Sequence, residues 1–137
     1  MDVATVLAVV QTLLAALSCS QLKEAWSMWD YKSDLDELIK VVVTIKKVLL
    51  DAEAKYDQLS LETIQYIEEL SFALYDADDL MDEFLTLAKQ KQILQKQGKF
   101  VKKVRLFFSR YNQLGVAYSM SQGVKKIMTQ LDSIATR

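Results

Sequence analysis

The segment that decides the fold is IEELSFALYDADDLMDEFLTLA, residues 67–88. Its apolar residues recur in alternating steps of three and four, the spacing that places side chains on one face of an α-helix. No other stretch of the chain has so regular a register. It predicts a long amphipathic helix over about residues 60–94, with Ser60 as its N-cap. The residues in register are Ile67, Leu70, Leu74, Ala77, Met81, Phe84 and Ala88.

Three further helices are predicted around that segment, at about residues 3–25, 34–57 and 116–135, with Ser33 or Asp34 capping the second. Residues 95–114 are predicted to be a basic connector, part helix and part loop. Amphipathic helices of this length bury a shared core by packing side by side, which indicates a single all-α domain, an antiparallel four-helix bundle. A helical hairpin completed by dimerisation is the alternative. The inner stripe of the first helix is Val3, Val6, Leu7, Val10, Leu13, Leu14 and Leu17.

The composition supports this fold and excludes several classes of site. The 137 residues contain no proline and three glycines, so tight hairpins are hard to build. Histidine is absent, which excludes His-based triads and imidazole metal ligands. The single cysteine, Cys19, cannot form an internal disulfide, which favours a reducing, intracellular compartment. The net charge of −1 gives no indication of nucleic-acid binding.

The charges are unevenly distributed along the chain. Residues 51–83 contain eleven acids and one base, whereas residues 89–110 contain eight bases and no acid. This asymmetry indicates two surfaces with different partners, or two segments that face one another. The basic segment has amphipathic spacing as well, with Phe100, Val104, Phe107, Phe108 and Tyr111 on one side. It is interpreted as a solvated strip over the bundle or as a contact to anionic lipid or an acidic partner.

The sharpest local feature is an acidic cluster in the third predicted helix. At 100° per residue, Asp78, Asp79 and Asp82 lie on the side opposite the apolar stripe. The cluster is either a solvated acidic face or a docking site for a basic surface. Its D-D-x-x-D spacing also matches helical enzymes that hold magnesium and a diphosphate. Those enzymes need a large apolar cavity and a second metal-binding motif. This chain is too short to form such a cavity and its sequence contains no second motif, so we predict no catalytic or metal-binding residue.

The first helix is unusually apolar. Residues 3–22 carry no charge, and as one helix they would rise about 30 Å, the thickness of a bilayer's hydrocarbon core. Trp26, Trp29 and Tyr31 follow where interfacial aromatics would lie. A helix buried in the bundle is the favoured interpretation for the resting protein. A cleaved signal is disfavoured because no basic residue precedes the apolar run.

Two strings in the chain resemble a known family. Residues 48–55, VLLDAEAK, resemble the "VLxDAExK" phrase, and residues 75–84, YDADDLMDEF, are similar to "YDAEDLLDEF". Both are typical of the N-terminal coiled-coil (Rx-type) domain of plant nucleotide-binding leucine-rich-repeat immune receptors. The family's "EDVID" motif falls on residues 78–82, with Asp78 in place of its leading glutamate. The candidate interaction residues are therefore Asp78, Asp79, Leu80, Met81 and Asp82.

The resemblance implies a four-helix bundle that docks on its own receptor. A nucleotide-binding domain that holds ATP or ADP and a leucine-rich repeat would follow it, and the motif's carboxylates would dock on arginines of the repeat. Activation would then drive self-association into a ring, insertion of the first helix into the plasma membrane, and cell death. The implied partners are these domains, other copies, and a helper receptor or host cofactor protein. The implied location is the cytoplasm, with the plasma membrane after activation.

One departure from the family concerns the first helix. Channel-forming members carry acidic residues within this helix, whereas no acid lies between Asp2 and Glu24 here. A sensor or adaptor that binds partner proteins, and relies on another receptor to cause cell death, is therefore the alternative function.

Overall fold

The computed structural model describes residues 2–30, 32–92, 97–111 and 116–136, including all side chains in these ranges except those of residues 108–111 and 116–122. Within these ranges the chain forms six α-helices, one 3₁₀ turn at Tyr56–Gln58 and no strand, which confirms the all-α class. The helices are α1 (Val3–Leu17), α2 (Ser20–Met28), α3 (Lys32–Ala54), α4 (Leu61–Lys89), α5 (Gln97–Tyr111) and α6 (Val116–Ala135).

The helices share one hydrophobic core. Helix α1 packs against α3 and α4, and α6 packs against the same two helices. Helix α2 packs against α3, and α5 packs against α4 and α6. The stripe predicted for α4 lies in the core as expected. The first six residues of the stripe are buried, and the seventh, Ala88, is partly buried and packs against the core. All six helices therefore contribute residues to one hydrophobic core.

The first predicted helix is not continuous, which corrects the expectation for residues 3–25. Helix α1 ends at Leu17, α2 begins at Ser20, and the two are bent by 67°. The Ser18 hydroxyl and amide both donate to the Leu14 carbonyl, at 2.9 and 3.1 Å, and Cys19 has an extended backbone. The bend lets Leu22 and Trp26 remain in the core.

This bend also bears on the membrane interpretation. Among the described residues no single helix is both long and apolar enough to cross a bilayer, whereas α1 and α2 taken together meet the length and composition. Of the three aromatics predicted for a bilayer interface, Trp26 is buried and Trp29 half-buried, while Tyr31 lies outside the described residues.

Helix boundaries depend on caps, and one predicted cap is wrong. Helix α3 begins at Lys32, so Ser33 and Asp34 lie in its first turn instead of capping it, and it ends at Ala54, three residues early. The Ser60 cap of α4 is confirmed, since its hydroxyl accepts a hydrogen bond from the Thr63 amide at 3.1 Å.

The end of α4 comes five residues before the predicted one. Lys91 takes a left-handed backbone, with φ of 57°. Its amide donates to the Ala88 carbonyl, and the Gln92 amide donates to the Leu87 carbonyl. These two bonds form a Schellman motif, which ends the helix at Lys89. The predicted end at residue 94 lies outside the described residues.

The predicted basic connector is a helix over most of its length. Residues 97–111 form α5, and Phe100, Val104 and Phe107 of its predicted apolar stripe are buried. The side chains of Phe108 and Tyr111 lie outside the described residues. The bounds of α6 match the prediction of 116–135.

Candidate functional site

Helix α4 holds the acidic cluster in a fixed orientation. Ala77, Met81 and Phe84 are essentially fully buried. They anchor one face of the helix in the core, so the opposite face points outward. Phe84 also packs against Trp29 and Phe100, with ring centroids 6.4 and 5.6 Å away. The position of the carboxylates is thus set by core packing.

The three predicted aspartates lie together at the surface of α4. Asp79 and Asp82 are exposed and Asp78 is half-buried, and one carboxylate oxygen from each lies within 4.8 Å of the others. Within the described residues none of the three makes an ion pair closer than 4 Å. The structure therefore presents an uncompensated group of negative charge to whatever approaches this side of α4.

Asp78 differs from its two neighbours. Its Oδ1 atom is buried without a hydrogen-bond partner among the described residues. Desolvation, followed by repulsion from Asp82 and then Asp79, raises the pKa of the Asp78 carboxyl above its ordinary value. Of the three acids predicted to lie opposite the apolar stripe, Asp79 and Asp82 are exposed, whereas Asp78 is partly covered.

The two apolar residues of the motif have another role. Met81 is buried in the core, and Leu80 is 7% exposed, at the floor of a neighbouring groove. They position the carboxylates and offer little surface to a partner.

Sequence reasoning missed two exposed aromatic residues beside the cluster. Phe72 is 61% exposed and Tyr75 is 39% exposed, although large aromatic side chains usually contribute to the core. Steps of three and four put both on the same side of α4 as Glu68 and Asp79. The available signal was that neither fits the apolar register. We call the surface formed by Glu68, Phe72, Tyr75, Asp79 and Asp82 the acidic face.

A groove of about 330 Å³ lies between α4 and α5. The Lys103 ammonium and a Glu83 carboxylate oxygen meet at 2.6 Å across it. Its lining includes Asp79 but neither Asp78 nor Asp82, so the three aspartates do not converge on it. This arrangement does not fit a diphosphate site, which needs all its metal-binding carboxylates to face one apolar cavity. The lining residues are Asp76, Asp79, Leu80, Glu83, Lys103, Leu106 and Phe107.

The inner stripe predicted for the first helix, the helix expected to act as the effector on activation, forms the inner face of α1. Six of its seven residues are buried, and Leu14 is partly buried against the core. The outer face is uncharged and small, and Asp2 caps the helix by accepting a hydrogen bond from the Ala4 amide at 3.0 Å. The apolar stripe of α1 is thus covered by α3 and α4 in this structure.

Comparison with known proteins identifies one family. The curated proteins and the solved structures give no match to the chain. The family model of the Rx N-terminal domain matches residues 9–111, which is more than half of the chain and includes the acidic cluster. Domains of this family are non-catalytic, and their receptor context implies intramolecular domain partners. The chain therefore belongs to the Rx N-terminal domain family, the N-terminal domain of plant nucleotide-binding leucine-rich-repeat disease-resistance proteins.

Proposed function

We propose that this chain is the signalling and self-association domain of an intracellular plant immune receptor. In the resting receptor it docks on the receptor's own nucleotide-binding and leucine-rich-repeat domains through Asp79 and Asp82, with Asp78 beside them. On activation it leaves that position and assembles with other copies, which leads to defence and cell death. The four-helix bundle expected for the family would consist of α1, α3, α4 and α6. The packing of α1 and of α6 against both α3 and α4 supports this assignment.

The observation that carries this proposal is the acidic face. Three exposed acids and two exposed aromatics share one side of a helix whose other side is fixed in the core. Crowded carboxylates on one helix face repel each other, so a basic partner that neutralises them gains free energy. Exposed aromatics supply the apolar contact area that protein interfaces favour. Together they suit a protein surface containing arginine or lysine.

Co-purification of the two parts of the receptor tests the docking step. Residues 1–137 and the remainder of the receptor are expressed as separate chains. Asp79→Asn combined with Asp82→Asn is expected to weaken their association at least tenfold, because two charge-assisted contacts are lost. In the intact receptor the same double variant is expected to cause cell death in leaf tissue without a pathogen.

A matched control separates this effect from a general loss of charge. Asp36→Asn combined with Glu53→Gln removes two exposed acids from α3. This control should leave both association and resting activity unchanged. Equal association for the double variant of α4 and the wild type would refute docking through the acidic face.

A second candidate function is a sensor or adaptor domain that binds partners without causing cell death itself. The observation that favours it is the bend at Ser18–Cys19, which interrupts the uncharged stretch, together with the absence of acids in α1. Deletion of residues 1–19 distinguishes the two. Loss of cell death with retained association supports an effector role for α1 at the plasma membrane, whereas unchanged cell death supports the sensor or adaptor.

A further inference from the structure

Helix α5 runs back along α4, so two oppositely charged helices lie side by side. Phe84 packs on Phe100 at 5.6 Å, and Glu83 pairs with Lys103. About one turn further along each helix, Asp79 and Leu106 line the same groove. Contacts from successively higher-numbered residues of α5 fall on successively lower-numbered residues of α4. The two helices are therefore antiparallel. Their outer faces therefore belong to one continuous surface on either side of the groove.

The two sides of this surface carry opposite charge that makes no ion pair among the described residues. Asp79 points outward from α4, and Lys99 and Lys102 point outward from α5; all three are exposed. Within the described residues, none of the three makes an ion pair, and Lys103 is the only residue of α5 that does. Leu106, 60% exposed, stands at the edge of the groove between them.

A surface with a negative strip beside a positive strip is complementary to itself. Rotation by 180° about an axis that lies in the surface, along the groove, exchanges the two strips. A second copy related by this rotation would place its Lys102 strip over the Asp79 strip of the first copy. Its own Asp79 strip would then lie over the Lys102 strip of the first copy. Two-fold homodimers require this property, since each residue of the contact is used twice.

We propose that the α4–α5 surface is a two-fold homodimer interface, with the Asp79 side of each copy against the Lys102 side of the other. Leu106 of the two copies meets near the axis, where it is covered by the contact. This interface would be the surface through which the proposed self-association occurs, so the inference rests on that part of the proposed function. It also makes Asp79 common to self-association and to docking in the resting receptor, so the two states exclude each other.

The charge pattern favours a second copy over an anionic membrane. Exposed cations on α5 would be attracted to an anionic lipid surface. The acids of the neighbouring α4 strip would approach the same lipid surface and oppose that attraction. A second copy is attracted by both strips.

Sedimentation velocity on the 137-residue chain tests the interface by charge exchange. The wild type is expected to dimerise, more weakly at high salt because the contacts are exposed charges. Asp79→Lys and Lys102→Glu, each alone, place like charges together and are expected to raise the dimer Kd at least tenfold. An equimolar mixture of the two variants restores both strips in a heterodimer, and its Kd is expected to return to within about threefold of wild type.

The control variants are Asp36→Lys and Lys47→Glu, which reverse exposed charges on α3, away from the groove. They should leave the Kd unchanged. Circular dichroism shows whether each variant is folded. A wild type that stays monomeric, or single variants without effect, would overturn the inference, as would a monomer that sediments with phosphatidylserine vesicles through Lys102. Failure of the dimer is distinguishable from failure of docking, because Lys102→Glu changes only the proposed dimer contact, whereas the co-purification experiment measures association with the rest of the receptor.

Cross-linking tests the position of the axis independently of charge. In a Cys19→Ser background, Leu106→Cys is expected to form a disulfide-linked dimer rapidly under copper–phenanthroline oxidation, because the two thiols meet near the axis. Leu61→Cys, 80% exposed at the start of α4, is the matched control and should react slowly. Equal rates at both positions would refute the proposed axis.

Discussion

Leu70 of α4 lies directly opposite Gly123 of α6. A Cβ atom at residue 123 would stand 3.2 Å from Cδ2 of Leu70, closer than ordinary van der Waals contact. Leu70 is itself buried, so it has little room to move away. The sequence predicts only that Gly123 weakens α6, whereas the structure gives a reason for glycine at this position: α6 approaches α4 closely there.

Substitution of Gly123 tests this contact. Alanine improves helix propensity by about 0.8 kcal/mol, and we expect the crowding of Leu70 to cancel that gain, leaving the free energy of unfolding within about 0.5 kcal/mol of wild type. Gly98→Ala is the control, since nothing lies within 4 Å of its added Cβ, and it should stabilise by about 0.5 kcal/mol. Urea denaturation measures both. An equal gain for both variants would mean that Leu70 yields freely.

The aromatic cluster predicts that α5 folds together with the other helices. Phe100 is 1% exposed and lies 5.6 Å from both Trp29 and Phe84, measured between ring centroids. Phe100→Ala should reduce the free energy of unfolding by about 3 to 4 kcal/mol and change the tryptophan fluorescence of the folded state. Leu106→Ala, on the exposed side of α5, should change the free energy of unfolding by no more than about 0.5 kcal/mol. A small effect of Phe100→Ala would show that α5 unfolds separately.

The left-handed backbone conformation of Lys91, which follows α4, predicts a stabilising substitution. Lys91 has a φ of 57°, a conformation that costs about 1 kcal/mol for a side chain with a Cβ and nothing for glycine. Lys91→Gly should therefore raise the melting temperature, and Asp30→Gly, at φ of 65°, should raise it less because aspartate tolerates this region. Lys89→Gly, inside the last turn, should lower it. A lower melting temperature for Lys91→Gly would contradict the Schellman motif.

The environment of Asp78 predicts a pH-dependent effect. Its folded-state pKa is raised by desolvation and by Asp82 and Asp79, so the folded chain binds this proton more tightly than the unfolded chain. Ionised Asp78 is therefore destabilising at neutral pH, and stability is regained as the pH falls through the folded pKa. Asp78→Asn should be more stable than wild type at pH 7 by chemical denaturation. The difference should vanish below about pH 3.9, where the carboxyl is protonated in both states.

Asp82→Asn is the control for this experiment, because Asp82 is exposed and its neighbours repel it through water. At pH 7, Asp82→Asn should raise the free energy of unfolding by less than Asp78→Asn does. A stabilisation by Asp78→Asn that is as large at pH 3 as at pH 7 would have to come from packing, and would refute the electrostatic explanation.

Much of the helical framework could be predicted from the sequence. The register of Ile67, Leu74 and Phe84 identifies the buried face of α4, and the Ser60 hydroxyl identifies where that helix begins. Both signals are local, since they depend on the helical repeat and on a hydrogen bond three residues away. The outward placement of Asp79 and Asp82 follows from the same repeat.

Other features depend on contacts between distant segments. An uncharged run such as residues 3–22 has no local signal for a bend, which exists because Leu22 and Trp26 are buried after it. The amphipathic spacing of the basic segment indicates only part of a helix. The packing of α5 against α4 and α6 accounts for the helix over residues 97–111 and for the burial of Phe100 and Val104.

The sequence by itself determined that the chain is helical and which face of its most regular segments is apolar, because the 3.6-residue repeat is a property of a single segment. Only the tertiary structure decided which polar groups are desolvated and which charged faces adjoin. Asp78 has a buried oxygen, and Lys103 reaches Glu83, because particular helices pack beside one another. Burial and Coulomb energy depend on distances through space, which a helical repeat does not encode.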